Sequence, residues 1–257
     1  YAIKTDINGD TTKTSVFSSI TGANVTLFDE ASDVKVLPDG GYIIVGTKYD
    51  ATTRRDVWLV KLAADLSVVF ETKFDGDLTN GDDYGHSVSL CDDNGFIIAG
   101  ETWVGDNGFD MWLIKTDALG ALDGSFGTGG KFSINGSSNG NDAARSVTQT
   151  DDGGYIVAGE ARMTGSNSDM MMVKLTSSGA LDNGFGGTTG KATFGFALNE
   201  SAEFVQQTSD GGFIMVGNTY SVGAGQSDIY TVKTSSDGSK VWDTFFGGAR
   251  NDFAHCV

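Results

Sequence analysis

The sequence predicts an all-β chain, a β-propeller of four-stranded antiparallel blades, with four full repeats and a fifth split between the termini. Three observations predict it. First, an eight-residue block recurs at 39–46 (DGGYIIVG), 93–100 (DNGFIIAG), 152–159 (DGGYIVAG) and 210–217 (DGGFIMVG). Second, a polar loop and another block follow each copy, at 56–61 (DVWLVK), 110–115 (DMWLIK), 169–174 (DMMMVK) and 228–233 (DIYTVK). A repeat every 54–59 residues marks a stacked or circular array. Third, the apolar runs in both blocks do not alternate with polar residues, so each strand is buried on both faces. Sheets packed between neighbours in a ring meet that requirement. A β-sandwich, the competing architecture, keeps one polar face per strand.

The elements follow in order. Strand one opens on an acid and covers 29–37, 83–91, 142–150 and 200–208. Its third residue is always small (Ala31, Gly85, Ala144, Ala202, and Ala254 in the partial copy), which suits the crowded centre of a ring. Strand one is therefore placed innermost. A Gly-containing turn leads to strand two, such as 42–45, and the second block supplies strand three, such as 57–60. Turns such as 6–10 and 235–238 lead to strand four, such as 241–246. The intervals from the opening acid to the lysine ending strand three are 32, 32, 32 and 33 residues. From that lysine to the next acid they are 25, 22, 27, 26 and 19. Length varies only in the strand-four half, which a propeller carries on its outer rim, where insertion disturbs no packing.

Lys4 closes a strand-three block, and 252–257 matches the strand-one openings at 83–88, 142–147 and 200–205. The chain reads as one repeat array over 1–257, expected to be part of a longer protein. Its blades fall near 29–82, 83–141, 142–199 and 200–251, with a partial blade from 252–257 and 1–28. An incomplete blade leaves unpaired strand edges, which invite pairing with another copy of the chain.

The formal charge of −17 and a pI near 4.2 argue against nucleic acid and anionic membrane as partners. No apolar run approaches the length of a membrane-spanning helix. Cys91 and Cys256 fall at different points of the repeat and are read as free thiols rather than a disulfide framework.

The DGGYIVAG and DxWLVK blocks, with a DxAxSVxxT opening, resemble the tandem repeats of secreted and surface β-propeller proteins of bacteria and archaea. Residues 121–131 (ALDGSFGTGGK) and 180–187 (ALDNGFGG) are similar to the LDxxFGxGGK signature of the delta-sixty repeat; repeats one and four lack it. The resemblance implies the propeller fold and an extracellular or cell-surface setting. It assigns no reaction, because such repeats serve many large proteins.

Thirteen of the 34 acids belong to the repeat itself. They open strand one (Asp29, Asp83, Asp142, Glu200, Asp252), precede strand three (Asp56, Asp110, Asp169, Asp228) or precede the DGG glycine (Asp39, Asp93, Asp152, Asp210). Each is read as an acceptor of backbone N–H groups in a tight turn, with cation binding as the competing role. The best local case for Ca²⁺ is 75–83 (DGDLTNGDD), with Asp75, Asp77, Asn80, Asp82 and Asp83 as oxygen donors. It lacks the bidentate Glu of an EF-hand, and the similar 6–10 stretch (DINGD) aligns with an ordinary turn. Residues 235–242 approach an Asp-box, with the glycine one place early; such hairpins are structural.

His86 and His255 occupy equivalent positions without a third ligand, so they are expected to line the channel or face solvent rather than hold zinc. No catalytic triad, phosphate loop or nucleotide fingerprint occurs, and the chain is read as non-enzymatic. The recurrent Lys4, Lys61, Lys115, Lys174 and Lys233 are expected to form ion pairs between blades. The loops between strands two and three differ most in chemistry and define the expected ligand face: Tyr49, Arg54, Arg55, Trp103, Met163 and Tyr220. Sequons at Asn24, Asn135 and Asn199 are candidate glycosylation sites. These features favour a structural or adhesive module whose partners are other copies, cell-surface or matrix proteins, or glycans. The alternative is a carbohydrate-binding or glycan-processing propeller. A catalytic version needs an acid pair that breaks the repeat symmetry, and only 75–83 offers one.

Overall fold

A computed structural model describes residues 2–5, 11–15, 29–50, 52–78, 81–136, 140–163 and 167–256. Blade one is β3 (Glu30–Val36), β4 (Tyr42–Asp50), β5 (Arg54–Leu62) and β6 (Val68–Phe74). Blade two is β7 (Asp83–Leu90), β8 (Phe96–Trp103), β9 (Phe109–Thr116) and β10 (Lys131–Ile134). Blade three is β11 (Ala143–Gln149), β12 (Tyr155–Arg162), β13 (Ser168–Leu175) and β14 (Lys191–Phe194). Blade four is β15 (Glu200–Gln207), β16 (Phe213–Thr219), β17 (Asp228–Thr234) and β18 (Lys240–Phe246). Each is an antiparallel meander with strands in chain order. β1 (Ala2–Thr5) and β2 (Thr11–Ser15) form a separate two-stranded sheet, which sends Lys4 Nζ to the carbonyl of Ala64 at 2.8 Å.

The core is a series of seams between blades. Consecutive residues of one strand bury into different seams: Phe96 and Ile98 join Ile43, Val45 and Leu59 of blade one, whereas Ile97 and Ala99 join Val157 and Val173 of blade three. The next seam joins Ile156 and Met170 to Phe213 and Tyr230. This two-way burial is why the strands carry no polar face. Each such side chain contributes roughly 1.5–3 kcal/mol on leaving water.

Strand one carries a β-bulge in every blade. The register slips between Ala31 and Asp33, Gly85 and Ser87, Ala144 and Ser146, and Ala202 and Phe204. The extra residues are Ser32, His86, Arg145 and Glu203. Opposite each bulge stands the last glycine of the DGG block (Gly46, Gly100, Gly159, Gly217), where a Cβ would collide with a strand-one carbonyl such as that of Ala143. The bulge thus dictates that glycine. The small residue before the bulge answers to the preceding blade rather than to the ring axis. A Cβ on Gly85 would lie 2.7 Å from the carbonyl of Gly46 and 2.9 Å from Val45.

The DGG acid accepts a backbone N–H in its own turn, as in Gly95 to Asp93 at 2.8 Å and Gly154 to Asp152 at 2.9 Å. The next position is left-handed. Gly153 has φ 78° and Asn94, the one non-glycine there, has φ 64°, a conformation Asn tolerates. The lysine ending strand three does not bridge blades as expected. It pairs with the DGG acid of its own blade: Lys115 to Asp93 at 2.6 Å, Lys174 to Asp152 at 2.8 Å and Lys233 to Asp210 at 3.0 Å. The in-register pairing of strands two and three, with Ile97 opposite Lys115, brings the two ends together.

Bridging between blades falls instead to the LDxxFG segment. Phe126 is fully buried against Tyr155 of the next blade, ring centroids 5.6 Å apart, and Phe185 against Phe213 at 5.8 Å. The following glycines, Gly127 and Gly186, donate their N–H to Ser178 and Asp237 of the neighbouring turn.

Candidate functional site

Each seam places two acids together: the one opening strand three of a blade and the one opening strand one of the next. The pairs are Asp56 with Asp83, Asp110 with Asp142, Asp169 with Glu200, and Asp228 with Asp252. The strand-one acid accepts a backbone N–H from the turn after strand four. Gly76 donates to Asp83 at 2.6 Å, Phe196 to Glu200 at 2.9 Å and Gly248 to Asp252 at 2.7 Å. The residue just after strand four is not constant. It is Asp75, then Asn135, Gly195 and Gly247. Asn135 turns its amide to Asp110 at 3.3 Å. Asp75 brings a third carboxylate instead.

Oxygens of Asp56, Asp75 and Asp83 lie within 4.8 Å of one another. Asp56 and Asp83 are each 1% exposed. Oδ1 of Asp56 and Oδ1 of Asp75 are buried without a hydrogen-bond partner. Asp56 Oδ2 is served by the Thr53 hydroxyl at 2.7 Å and by Lys73 Nζ at 3.2 Å. Burial pushes the Asp83 carboxyl up to about 6, against the Thr102 hydroxyl and the N–H groups of Gly76 and Trp103, which favour the ionised form. Burial and the Asp56 charge also raise Asp75. Three hard carboxylates fit Ca²⁺. Its oxygen ligands sit about 2.3–2.6 Å away, so two of them lie no more than about 5 Å apart. The oxygens left without donors are those a cation would take.

Above this cluster lies a cleft of about 310 Å³ lined by Arg54, Asp82, Tyr84, Trp103 and Phe109. Trp103 and Phe109 meet edge to face with centroids 5.0 Å apart, and Tyr84 lies 5.7 Å from Phe109. Trp103 ends β8 and is 38% exposed, so its ring stands free on one side. Asp82, which precedes β7, faces the cleft, and Asp83, the first residue of β7, faces the seam. Tyr84 stacks on His86, which opens the axial channel. That channel, about 350 Å³, is lined by all four bulge residues (Ser32, His86, Arg145, Glu203) together with His255. The bulge aims these side chains inward. Arg145 ties His86 at 3.0 Å to Glu160 at 2.8 Å, and Glu203 accepts from Asn218 at 3.3 Å.

The structure brings Arg54, Arg55 and Trp103 of the expected ligand face to one place, with Tyr49 paired across the hairpin from Arg55. Met163 and Tyr220 stay on the corresponding loops of blades three and four; Tyr220 is 46% exposed. Of the expected calcium stretch, Asp75 and Asp83 enter the cluster. Asp82 turns to the arginines, Asp77 lines a hollow on the other side of Trp103, and Asn80 lies outside the described residues. Asp56 takes the third place, for the seam adds a ligand 27 positions before Asp83. Asn135 donates to Asp110, Asn199 accepts from Ser168 at 3.0 Å, and Asn24 lies outside the described residues. Tyr84 and Phe109 carry no signal in the sequence that separates them from core aromatics.

No protein-family model matches the chain, and no curated protein does. Among solved structures it is similar to a protein of unknown function from Bacteroides caccae, with a TM-score of 0.54 at 12% identity over 93% of this chain and 73% of that one. It is also similar to a GH43_1 enzyme from Xanthomonas citri, with a TM-score of 0.50 at 10% identity over 86% of this chain and 74% of that one. At such identities the likeness is one of fold. The chain is an all-β protein of repeated four-stranded antiparallel sheets with propeller-like architecture, and no described helix is long and apolar enough to cross a membrane.

Proposed function

We propose that the chain is an extracellular carbohydrate-binding propeller that holds a glycan across the Trp103 cleft and does not cleave it. The single observation behind this reading is the cleft itself: Trp103, Phe109 and Tyr84 converge beside charged side chains on the loop face. A half-free aromatic ring suits the apolar face of a sugar, while arginine and carboxylate groups suit its hydroxyls. The Asp56, Asp75 and Asp83 cluster lies next to it and, with Ca²⁺, would tie the start of β5 to the end of blade one and the start of β7. Isothermal titration with an oligosaccharide panel tests the reading. Trp103→Ala is expected to abolish binding while leaving the fold intact, since the ring is partly exposed. Absence of binding by the wild type ends it.

A second reading, a structural or adhesive module that pairs with other copies through a sheet edge, rests on β1 and β2. Among the described residues they form a two-stranded sheet where the other blades have four strands. Native mass at rising concentration tests it; a monomer throughout removes it.

A further inference from the structure

The aromatic cleft carries a charge pattern that a neutral sugar does not need. The chain has five arginines against a net charge of −17, and two of them, Arg54 and Arg55, stand side by side at this cleft. Consecutive strand residues normally point to opposite faces. Arg54 escapes that rule by adopting φ 73°, a left-handed conformation that a long side chain seldom takes. Both guanidinium groups consequently face one carboxylate: Arg54 Nε lies 3.5 Å from Asp82 Oδ1, and Arg55 Nη1 lies 3.5 Å from Asp82 Oδ2. A formed charge-assisted bond is about 2.7–2.9 Å long, so neither contact is closed. Asp82 Oδ1 indeed has no hydrogen-bond partner. The arginine side chains remain 55% and 42% exposed, and Arg55 lies 5.7 Å from the centre of the Tyr84 ring. Two exposed guanidinium groups over one carboxylate thus stand beside Trp103.

We infer that this cleft selects an anionic sugar, a uronic-acid residue whose carboxylate is held by Arg54 and Arg55 while its ring lies on Trp103. The inference rests on the carbohydrate-binding reading and names its ligand class. The planar guanidinium fork matches a carboxylate in a way that a lysine ammonium does not. An acidic glycan approaching so negative a protein requires a local cationic site, and the strained backbone at Arg54 supplies it.

The test is calorimetric titration of the full chain, with calcium present, against the trisaccharides of galacturonate, mannuronate and glucuronate. The neutral galactose, mannose and glucose trisaccharides of the same linkages serve as counterparts. At least one uronate is expected to bind roughly tenfold or more tightly than its neutral counterpart, with the margin shrinking as salt is raised. In the double variant Arg54→Gln/Arg55→Gln that preference is expected to vanish, the uronate and its neutral counterpart then binding with equal affinity. Neutral binding equal to or tighter than uronate binding in the wild type overturns the inference and leaves the carbohydrate-binding reading standing. A preference that survives in the double variant also overturns it. Binding to none of the six overturns both. Should the double variant fail to fold, the wild-type titrations alone decide.

Discussion

Asp75→Asn is the most informative perturbation, because it gives the first seam the residue that the second seam already has in Asn135. In the calcium-free protein the first seam holds three carboxylates, two of them nearly inaccessible to water. The Asp83 carboxyl is raised from 3.8 to about 6 in the folded state. The folded protein therefore binds more protons than the unfolded chain between these values. Stability from this group is fully present at pH below the unfolded value and is lost as pH rises through the folded value. The difference of about two units corresponds to roughly 3 kcal/mol. At this chain length that is roughly 6–12 °C in Tm. Asp75, raised by burial and by Asp56, acts in the same direction.

The assay is differential scanning calorimetry with EDTA or CaCl₂ at about pH 4.5 and about pH 7.5. With EDTA, wild type is expected to lose stability on going to the higher pH by about 2 kcal/mol more than Asp83→Asn does, since part of the full difference is already lost at about pH 4.5. Comparison with that variant removes the general repulsion of an acidic surface. Calcium is expected to raise the wild-type Tm at about pH 7.5 by stabilising the ionised carboxylates. Asp75→Asn is expected to be more stable than wild type in EDTA at that pH, since an amide replaces a half-buried charge beside two buried carboxylates, and to lose the calcium response. The reasoning fails if wild type and Asp83→Asn show the same pH dependence in EDTA, or if Asp75→Asn responds to calcium as wild type does.

Further predictions concern the scaffold. Gly159→Ala drives a Cβ into the carbonyl of Ala143 opposite the bulge and is expected to cost about 3 kcal/mol by urea titration. Lys115→Met removes an ammonium that is 2% exposed and bound to Asp93 at 2.6 Å, with an expected loss of about 2 kcal/mol. Lys61→Met, whose pair with Asp39 is 3.8 Å long and more exposed, is expected to cost less than about 1 kcal/mol in the same titration. Burial pushes the Cys91 thiol up to about 12, while Cys256 is exposed. Under native conditions a thiol reagent is therefore expected to label Cys256 alone, with Cys91 reacting only after unfolding.

Much of the architecture was legible in one dimension. The double-sided apolar runs at 42–45 and 57–60 announced strands buried between neighbours, and the constant spacing from acid to lysine announced which half of each repeat is packed. The DGG acids, read as turn acceptors, are turn acceptors. These features depend on a residue and its near neighbours, so the sequence by itself determined them.

The site depended on contacts that no local pattern encodes. Asp56 and Asp83 belong to different blades and meet only because the end of one meander lies against the start of the next. The recurrent lysines were misassigned to the seams for the converse reason. Their partners lie across a strand pair within the blade, and register, not repetition, sets that pairing. His86 and His255, expected to line the channel or face solvent, do line it, and the bulge shows that His86, Arg145 and Glu203 are each the unpaired residue of strand one. A bulge is defined by what the partner strand does not supply. Likewise, the sequence places Arg54 and Arg55 on the expected ligand face, but only the left-handed conformation at Arg54 sets both against Asp82. Sequence determined the blades because their burial is periodic; tertiary structure decided the chemistry because it arises where one blade departs from its neighbours.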